Sequence, residues 1–586
     1  MSFRWNYIQP EHEDAVPRLQ KGLGIPESIA WLLTIRGINT FNDARLFFRP
    51  SLTNVHDPFL MKGMEAGSDR LATAIRSGEK VIVYGDYDVD GTTATAVIHT
   101  FLKNFGVDVQ FYIPHRFKEG YGIGKDGIDY ARDIKSTLIV SVDCGITAVE
   151  ETEYARSCGI DLIICDHHNA GEVIPDAVAV LDPKQPDCPY PFKGLSGAGV
   201  GFKLVQATLV KLGLQPEVAH PYLDLVAISI ASDIVPIIDE NRILMREGLK
   251  LINSFPRPGI KALMDRIQLR DAEITTSHIV FSLGPRINAA GRMGDAAVAV
   301  SLLISGDSGE AEKYASRLEK INFERRDTDT RTMENAVKQL GDQGNIEDYS
   351  CLVLHNSKWH LGVIGIVASR LVDLYCRPTI MLSTVDGQIK GSARSIHGFN
   401  IYDALKKCED LLVQFGGHKY AAGLTIAEDQ LDNFIKRFQQ ITGDMLSEQD
   451  FKPELSIDAE LPFSEITPRF WKLLKQFEPF GPNNVKPIFV SRDVTIRSRP
   501  IIVGQGHLKM WISQNGTPPI EAIGFNMQKF MKPLQDAGSA PVDIAYALEE
   551  NTWNNRTHLQ LRLKDIHIDG KRVELPEKVS TSVSLK

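Results

Sequence analysis

Three observations predict an α/β protein: a parallel-sheet domain, a long helix leading to a smaller α/β domain, and a small β-barrel after it. Apolar, strand-like runs alternate with helix-like segments from about residue 56 to 260, the pattern of a parallel sheet covered on both faces. A shorter alternation of the same kind occupies about 346 to 445. From about 455 to 570 short strand-like runs recur with turn residues between them, as in a closed all-β fold.

Composition sets the outer bounds. The 586 residues suffice for three or four domains with large cores, and 43% hydrophobic with 24% charged residues is ordinary for a soluble globular chain. No apolar run reaches the roughly 18 residues that a membrane span needs. The start, Met1-Ser2-Phe3-Arg4-Trp5, has no apolar core and predicts no secretion signal. The seven cysteines never fall as C-x-x-C, which predicts reduced thiols, a cytoplasmic location and no structural zinc. A net charge of -9 does not point to nucleic acid, yet a local basic groove is enough to bind phosphates.

Residues 1–55 read as a helical N-terminal segment, with Pro26-Glu27-Ser28 opening one helix and Asn42-Asp43-Ala44-Arg45 near a second. The next domain, 56–308, has strand candidates at 81–84, 107–113, 138–143, 161–165 and 177–181, and a helix from Thr92 to Phe105. Ligands of parallel sheets sit at the carboxyl ends of strands. Val81 to Tyr84 runs into Asp86, Asp88 and Asp90, and Leu138 to Val142 runs into Asp143. The run 161–165 meets Asp166-His167-His168, and the apolar stretch Leu225 to Ser232 meets Asp233. One Asp after a strand is commonly a helix cap. Four such ends in one unit, one bearing two histidines, point instead to a cation that offsets the mutual repulsion of the carboxylates. Oxygen-rich ligation with one or two imidazoles suits Mn²⁺ or Mg²⁺ better than structural zinc. An EF-hand loop is excluded, because its twelfth position is Val97 instead of a bidentate Glu.

In order and spacing these motifs resemble the DHH phosphoesterase family. The eponymous motif stands here as Asp166-His167-His168, and Gly85 to Gly91, Val142-Asp143-Cys144-Gly145 and Ala231-Ser232-Asp233 are similar to its other metal motifs. Ile113 to Gly122, which includes Arg116, resembles the segment bordering the site in the RecJ-type exonucleases of that family. Leu195 to Lys203 resembles their Gly-rich loop. It is not a Walker A motif, and a tight turn into a helix at 202–212 and a backbone contact to phosphate both remain open readings. Phe281 to Gly294 resembles the RecJ pattern, with Gly284 where Ala is expected; Arg286, Asn288 and Arg292 lie there among small residues, and Arg forks onto phosphate.

The charged stretch 309–345 reads as a solvated connecting helix, of which about Gly309 to Leu340 would span roughly 48 Å. In 346–450, Cys351 to Leu354 reads as a strand and Gly365 to Leu371 as a helix, with Lys390 to Ser395 following a further strand. Phe415-Gly416-Gly417-His418 resembles the substrate motif of the DHH-associated domain, offering backbone N–H groups and an imidazole to a phosphate. Strand-like runs in 455–572 fall at 487–490, 493–497, 508–512, 519–524, 541–548 and 558–566. Trp511, Phe525, Tyr546 and Trp553 interleave there with Arg497, Lys509, Arg556 and Arg562, a pattern suited to stacking bases and pairing phosphates. With Phe480-Gly481-Pro482-Asn483-Asn484, this region resembles the OB-fold of RecJ-type enzymes. Residues 573–586 read as a polar, disordered tail.

The resemblance implies a single-stranded-DNA-specific 5′–3′ exonuclease of DNA recombination and repair, releasing 5′-mononucleotides with two divalent ions, Mn²⁺ or Mg²⁺. It implies that Asp143 bridges both ions, that Asp88 holds one, and that Asp90, His167 and Asp233 hold the other. Related enzymes carry a His where Tyr84 stands here, so Asp86 is expected to complete the first shell. His168 is expected to donate to a phosphate oxygen as charge develops. Arg116, Arg286, Asn288, Arg292, Ser392, Arg394, Gly416, Gly417 and His418 are expected to bind the strand or its 5′-phosphate. Implied partners are single-stranded DNA with a 5′-phosphate, a single-strand-binding protein and a RecQ-type helicase, with a monomer and no membrane. Because every implied metal ligand precedes residue 240, removal of 455–586 is expected to spare cleavage of very short oligonucleotides. The nano-RNA and cyclic-dinucleotide phosphodiesterases lack the connector and barrel, and family II pyrophosphatases are too short. A non-catalytic scaffold of the Cdc45 type is disfavoured by the intact metal set.

Overall fold

The computed structural model describes residues 3–553, 556–568 and 571–572; of Gln343, Trp553, Arg556, Lys571 and Arg572 it describes the backbone alone. The tail 573–586 and the side chains of Trp553 and Arg556 therefore lie outside the described residues. The chain divides into two compact units. One comprises Arg49–Arg326 with Pro479–Val485, the other Met1–Phe48, Asp327–Glu478 and Lys486–Lys586.

The first unit is built on five parallel strands. Their order across the sheet is Val109–Tyr112, Val81–Tyr84, Leu138–Val142, Asp161–Cys165 and Ala179–Leu181. Val81–Tyr84 and Leu138–Val142 are buried throughout, which is why they read as unbroken apolar runs with no alternation. Strand order reverses beside Val81–Tyr84, and a crevice at the carboxyl ends is the expected place for a ligand. The helix Val89–Asn104 starts three residues earlier than its composition suggests, because Asp88 caps it. On one face of the sheet, this helix and Gly197–Lys211 bury Val97, Ile98, Phe101, Phe202 and Leu204 in the unit's main core. Leu223–Ser232, apolar in sequence, is a fully packed helix, so Asp233 sits at a helix C-terminus and not at a strand end.

In the second unit, the strands Leu412–His418, Ala421–Ile426, Gln388–Arg394, Thr379–Val385 and Leu352–His355 form one sheet in that order. Lys390 to Arg394 follows the strand Thr379–Val385, as expected, and is itself part of the strand that pairs with it, Gln388–Arg394. The C-terminal sheet closes on itself. Phe489–Ile496, Val542–Trp553, Arg556–Ile568, Ile520–Gly524 and His507–Ser513 are successive neighbours, and His507–Ser513 returns to Phe489–Ile496 through Thr495 opposite Ser513. The two runs expected at 487–490 and 493–497 are one strand interrupted by a bulge between Ser491 and Val494, with Asp493 at φ 53°. Tyr546 points inward, fully buried with its hydroxyl against Ser491, so it belongs to the core and not to a base-stacking surface. Trp511 and Phe525 are exposed, and the Arg562 guanidinium lies 4.9 Å from the Phe525 ring centre.

The N-terminal segment contains a strand that its polar sequence did not announce. Arg4–Tyr7 pairs in parallel with Glu454–Ile457, and Trp5 stacks on His567 at 3.8 Å. The helix Ser308–Gln343 is less solvated than its charge suggests. Ala311, Ala315 and Leu318 enter the core of the first unit, and Met333, Ala336 and Leu340 enter a core of the second. No helix of the described residues is long and apolar enough to cross a membrane.

Candidate metal centre

Seven side chains of the first unit converge at the sheet's carboxyl edge. Their possible ligand atoms fall into three overlapping groups: Asp86, Asp88 and Asp143; Asp90, His167 and Asp233; and Asp143, His167 and His168. Within each group the atoms lie within 4.8 Å of one another. Asp143 and His167 each belong to two groups, so the three form one continuous cluster.

The backbone that delivers these groups is unusual where it must be. Asp143 adopts φ 61°, a left-handed conformation that Asp tolerates better than most residues. Gly197 sits against it so closely that a Cβ there would lie 2.7 Å from the Asp143 Cβ. A Cβ on Gly91 would meet the Asp86 backbone at 2.5 Å. The glycines of both loops are thus required by close approach.

Each acidic group is held in a particular orientation. The Asp88 carboxylate caps its helix by accepting from the Gly91 N–H at 3.0 Å. Asp90 accepts from the Gly197 N–H at 2.6 Å, the Ala198 N–H at 2.8 Å and the Ser229 hydroxyl at 2.6 Å. This decides between the two readings of the Gly-rich loop. Its first amides, at the N-terminus of Gly197–Lys211, serve Asp90 and not a phosphate, and the helix begins five residues before the expected 202. Asp166 lies behind the cluster. One of its oxygens accepts from the His167 and His168 N–H groups and pairs with His168 Nδ1 at 2.7 Å, while the other accepts from the Ile146 N–H. Tyr121, flanked by Gly120 and Gly122 at φ 90° and 95°, donates its hydroxyl to the Asp143 carbonyl at 2.9 Å and lies 3.1 Å from His168 Nδ1.

The electrostatics are those of a site short of positive charge. Burial, then Asp88, pushes the Asp86 carboxyl well above the ordinary range; burial, then Asp90, does the same to Asp143 and also raises Asp88. Burial, then Asp90, raises Asp233 to about 8. Burial holds His167 below its usual value. For His168 burial acts downward too, but the hydrogen bond to Asp166 and its charge outweigh it, giving about 9. The Asp86 Oδ1, the Asp143 Oδ1 and both His167 ring nitrogens are buried with no hydrogen-bond partner among the described residues. His167 Nε2 nevertheless lies 3.1 Å from Asp143, 3.5 Å from Asp233 and 3.6 Å from Asp90. Unpaired buried acceptors crowded around one nitrogen fit cation ligation, and the oxygen-rich set suits Mn²⁺ or Mg²⁺.

Tyr84 takes no part in the cluster. Its hydroxyl donates to the Gly122 carbonyl at 3.0 Å and accepts from the Gly124 N–H, and its ring stacks on Tyr112. Asp86 occupies the group that contains Asp88 and Asp143.

The expected phosphate contacts divide. Arg116 lies over the Tyr87 ring at 4.8 Å and acts on the Asp86 charge; Arg292 also acts on Tyr87. Both therefore stand beside the first motif. Gly291 explains the approach, since a Cβ there would lie 2.0 Å from the Tyr87 carbonyl oxygen. Asn288 is half-buried on the same helix, Gly284–Arg292. Arg286 is turned elsewhere. It forks onto Glu319 at 2.6 and 3.3 Å and donates to the Ser282 carbonyl. In the second unit, His418 and Arg394 both oppose Ala421, and Gly416 and Ser392 both oppose Gly423. Directly opposed residues share a sheet face, so Ser392, Arg394, Gly416 and His418 form one patch, kept low by Gly416 and Gly423. Gly417 faces the other way, and a Cβ there would lie 2.4 Å from the Ala421 carbonyl oxygen.

Two groups next to the cluster were not among the expected site residues: Lys184, and Tyr121, which does lie in the segment Ile113 to Gly122 that the resemblance placed beside the site. Lys184 acts on the charges of Asp233 and His167. The glycines flanking Tyr121 were the available signal; nothing in the sequence marked Lys184.

Comparison with known proteins gives consistent answers. Family models for the DHH family N-terminal domain, the DHHA1 domain and the RecJ OB domain match residues 80–230, 348–444 and 457–565. The chain is 38% identical over 565 residues to the single-stranded-DNA-specific exonuclease RecJ of Bacillus subtilis, covering 96% of this chain and 70% of that protein. The crystal structure of Thermus thermophilus RecJ in complex with Mn²⁺ aligns with a TM-score of 0.82 at 28% identity, covering 98% of this chain and 81% of that one. The Mg²⁺ complex from the same organism gives 0.75 at 26%, with 96% and 78% covered.

Proposed function

The chain belongs to the RecJ family, and from that premise we propose that it hydrolyses single-stranded DNA stepwise from the 5′ end, releasing 5′-mononucleotides in DNA recombination and repair. The observation that carries the reading is the continuous cluster of five carboxylates and two imidazoles with unpaired buried atoms at the sheet edge. Two divalent ions, Mn²⁺ or Mg²⁺, supply Lewis acidity toward the scissile phosphate and a nucleophilic water when bound. Asp86, Asp88 and Asp143 would hold one, and Asp90, His167 and Asp233 the other, with Asp143 shared. The chain's own groups do the rest. The amides of Gly197 and Ala198 and the Ser229 hydroxyl fix the Asp90 carboxylate. Asp166 and Tyr121 take up His168 Nδ1, leaving its Nε2 to donate to a non-bridging phosphate oxygen as negative charge grows. Arg116, Asn288 and Arg292 bind the strand beside the first motif, and Ser392, Arg394, Gly416 and His418 bind phosphate on the sheet face they share. Gly417 supports that patch from the opposite face. Arg286, already forked onto Glu319, contributes mainly by holding the helix that carries Asn288 and Arg292.

In this reading the enzyme works as a cytoplasmic monomer, and a RecQ-type helicase and a single-strand-binding protein prepare its substrate. The test is digestion of DNA labelled separately at each end, with Mn²⁺ and with EDTA. Label leaves first from the 5′ end of single strands, a 5′-phosphate accelerates the reaction, and blunt duplex and EDTA samples stay intact. Release first from the 3′ end, or equal attack on blunt duplex, contradicts the reading.

A further inference from the structure

We infer that residues 479–485, Pro-Phe-Gly-Pro-Asn-Asn-Val, act as a positioning strap for Asp233; the inference rests on the reading of Asp233 as a metal ligand. In the chain this segment is far downstream of Asp233. Residues on either side of it belong to the second unit, yet these seven pack as part of the first.

The segment is a closed turn. Gly481 and Asn484 exchange backbone hydrogen bonds of 3.0 Å in both directions, Asn483 takes φ 61°, and the buried Asn484 amide donates to the Pro479 carbonyl at 2.9 Å. It grips the stretch just after Asp233. The Ile237 N–H donates to the Pro482 carbonyl at 2.9 Å, and Arg242 reaches the Pro479 carbonyl at 3.4 Å. Gly481 rests directly on the fully buried Ile237, where a Cβ would lie 2.3 Å from Cδ1 and 2.9 Å from Cγ1.

What needs holding is the turn between Asp233 and Ile237. Asp233 closes the helix Leu223–Ser232, its N–H donating to Ser229. The next residue, Ile234, is β-branched and sits at φ 61°, a conformation such residues strongly avoid. The residue is 73% exposed and gives the turn little packing of its own. Strain of this kind persists only where the surroundings over-determine it. Upstream the helix does so. Downstream the anchors are Val235, buried in the main core, the Pro236 carbonyl, which accepts from Asn241, and Ile237, which the strap clamps by a hydrogen bond and by contact. The strap therefore acts on the metal centre through Ile237, in the way outer-shell partners fix ligand direction.

The test titrates Mn²⁺ alone into the full chain by calorimetry, for the wild type, Gly481→Ala, Asn484→Ala, Asp233→Asn and the pair Gly481→Ala with Ile237→Ala. Gly481→Ala is expected to weaken at least one Mn²⁺ site by about tenfold, the scale of outer-shell changes. Saturating Mn²⁺ should restore its kcat, with KM for a single strand unchanged. Asn484→Ala should shift affinity the same way by less, and Ile237→Ala, which removes the obstructing atoms, should restore affinity in the pair. Should Gly481→Ala fail to fold, Asn484→Ala decides. If Asp233→Asn binds Mn²⁺ as the wild type does, the ligand reading of Asp233 fails. If Asp233→Asn weakens binding while the folded strap variants match the wild type, even with lowered thermal stability, the strap inference is overturned.

Discussion

The metal edge of the first unit and the Gly-Gly-His face of the second are both short motifs on sheets, but they are built in opposite ways. Around Asp143 the groups are buried, crowded and short of partners, and their carboxyls are pushed up by burial and by one another. On the strand Leu412–His418, Gly416, Gly417 and His418 are all exposed, and the strand is the edge of its sheet. The first arrangement is costly without a cation, so it declares its ligand. The second is at ease in water and declares only a shape. Substitutions in the first should therefore act on catalysis itself, and those in the second on which substrate end is preferred.

The largest effect is expected from Asp143→Asn. Asn tolerates the left-handed backbone at this position, so the fold should survive. Turnover should fall by well over the roughly 100-fold that outer-shell changes cause. Circular dichroism with single-turnover cleavage checks both halves, and near-normal turnover by a folded variant would break the contrast.

Ending the chain after residue 454 comes next. The sequence alone suggested that cleavage of very short oligonucleotides would survive such a cut. Residues 479–485 pack with the metal unit, so loss even of short-oligonucleotide cleavage is now expected, alongside weaker Mn²⁺ binding. Retained cleavage of a dinucleotide would restore the simpler expectation.

Asp166→Asn should be milder. It removes the charge that pairs with His168 Nδ1 and leaves every proposed ligand in place. A drop in kcat of about 10–100-fold with little change in KM is expected from steady-state kinetics. A change in KM alone would show that His168 needs no such support.

The smallest effect is reserved for the Gly-Gly-His face, where Arg394 is half-buried and donates to the Ser392 hydroxyl. Arg394→Ala should reduce the advantage of a 5′-phosphate over a 5′-hydroxyl about tenfold, since a charge-assisted hydrogen bond is worth ~1.5–3 kcal/mol. Turnover of the 5′-hydroxyl substrate should hardly move. An equal loss on both substrates would move Arg394 out of end recognition.

How far the sequence could be read follows the same contrast. The strands Val81–Tyr84 and Asp161–Cys165 were legible to the residue, because strands buried on both faces leave long apolar runs. The acidic ends were legible because like charges crowded at strand ends repel unless a cation offsets them. The Gly-rich loop was not decided, since an amide donates equally well to a carboxylate and to a phosphate. The inward turn of Tyr546 and the fork of Arg286 onto Glu319 were hidden, because one-dimensional spacing does not say which way a side chain points. Arg4–Tyr7 was missed because its partner strand, Glu454–Ile457, lies most of the chain away. The strap at 479–485 was legible as a motif and silent as to what it touches.

The most direct measurement of the central claim is the number of Mn²⁺ ions bound per chain, read by calorimetry and by electron paramagnetic resonance. Two ions are expected in the wild type, spin-coupled through the shared Asp143. Asp88→Asn should weaken chiefly one, and Asp143→Asn should weaken both and abolish the coupling. A single ion, or two uncoupled ions that Asp143→Asn leaves in place, would contradict the account.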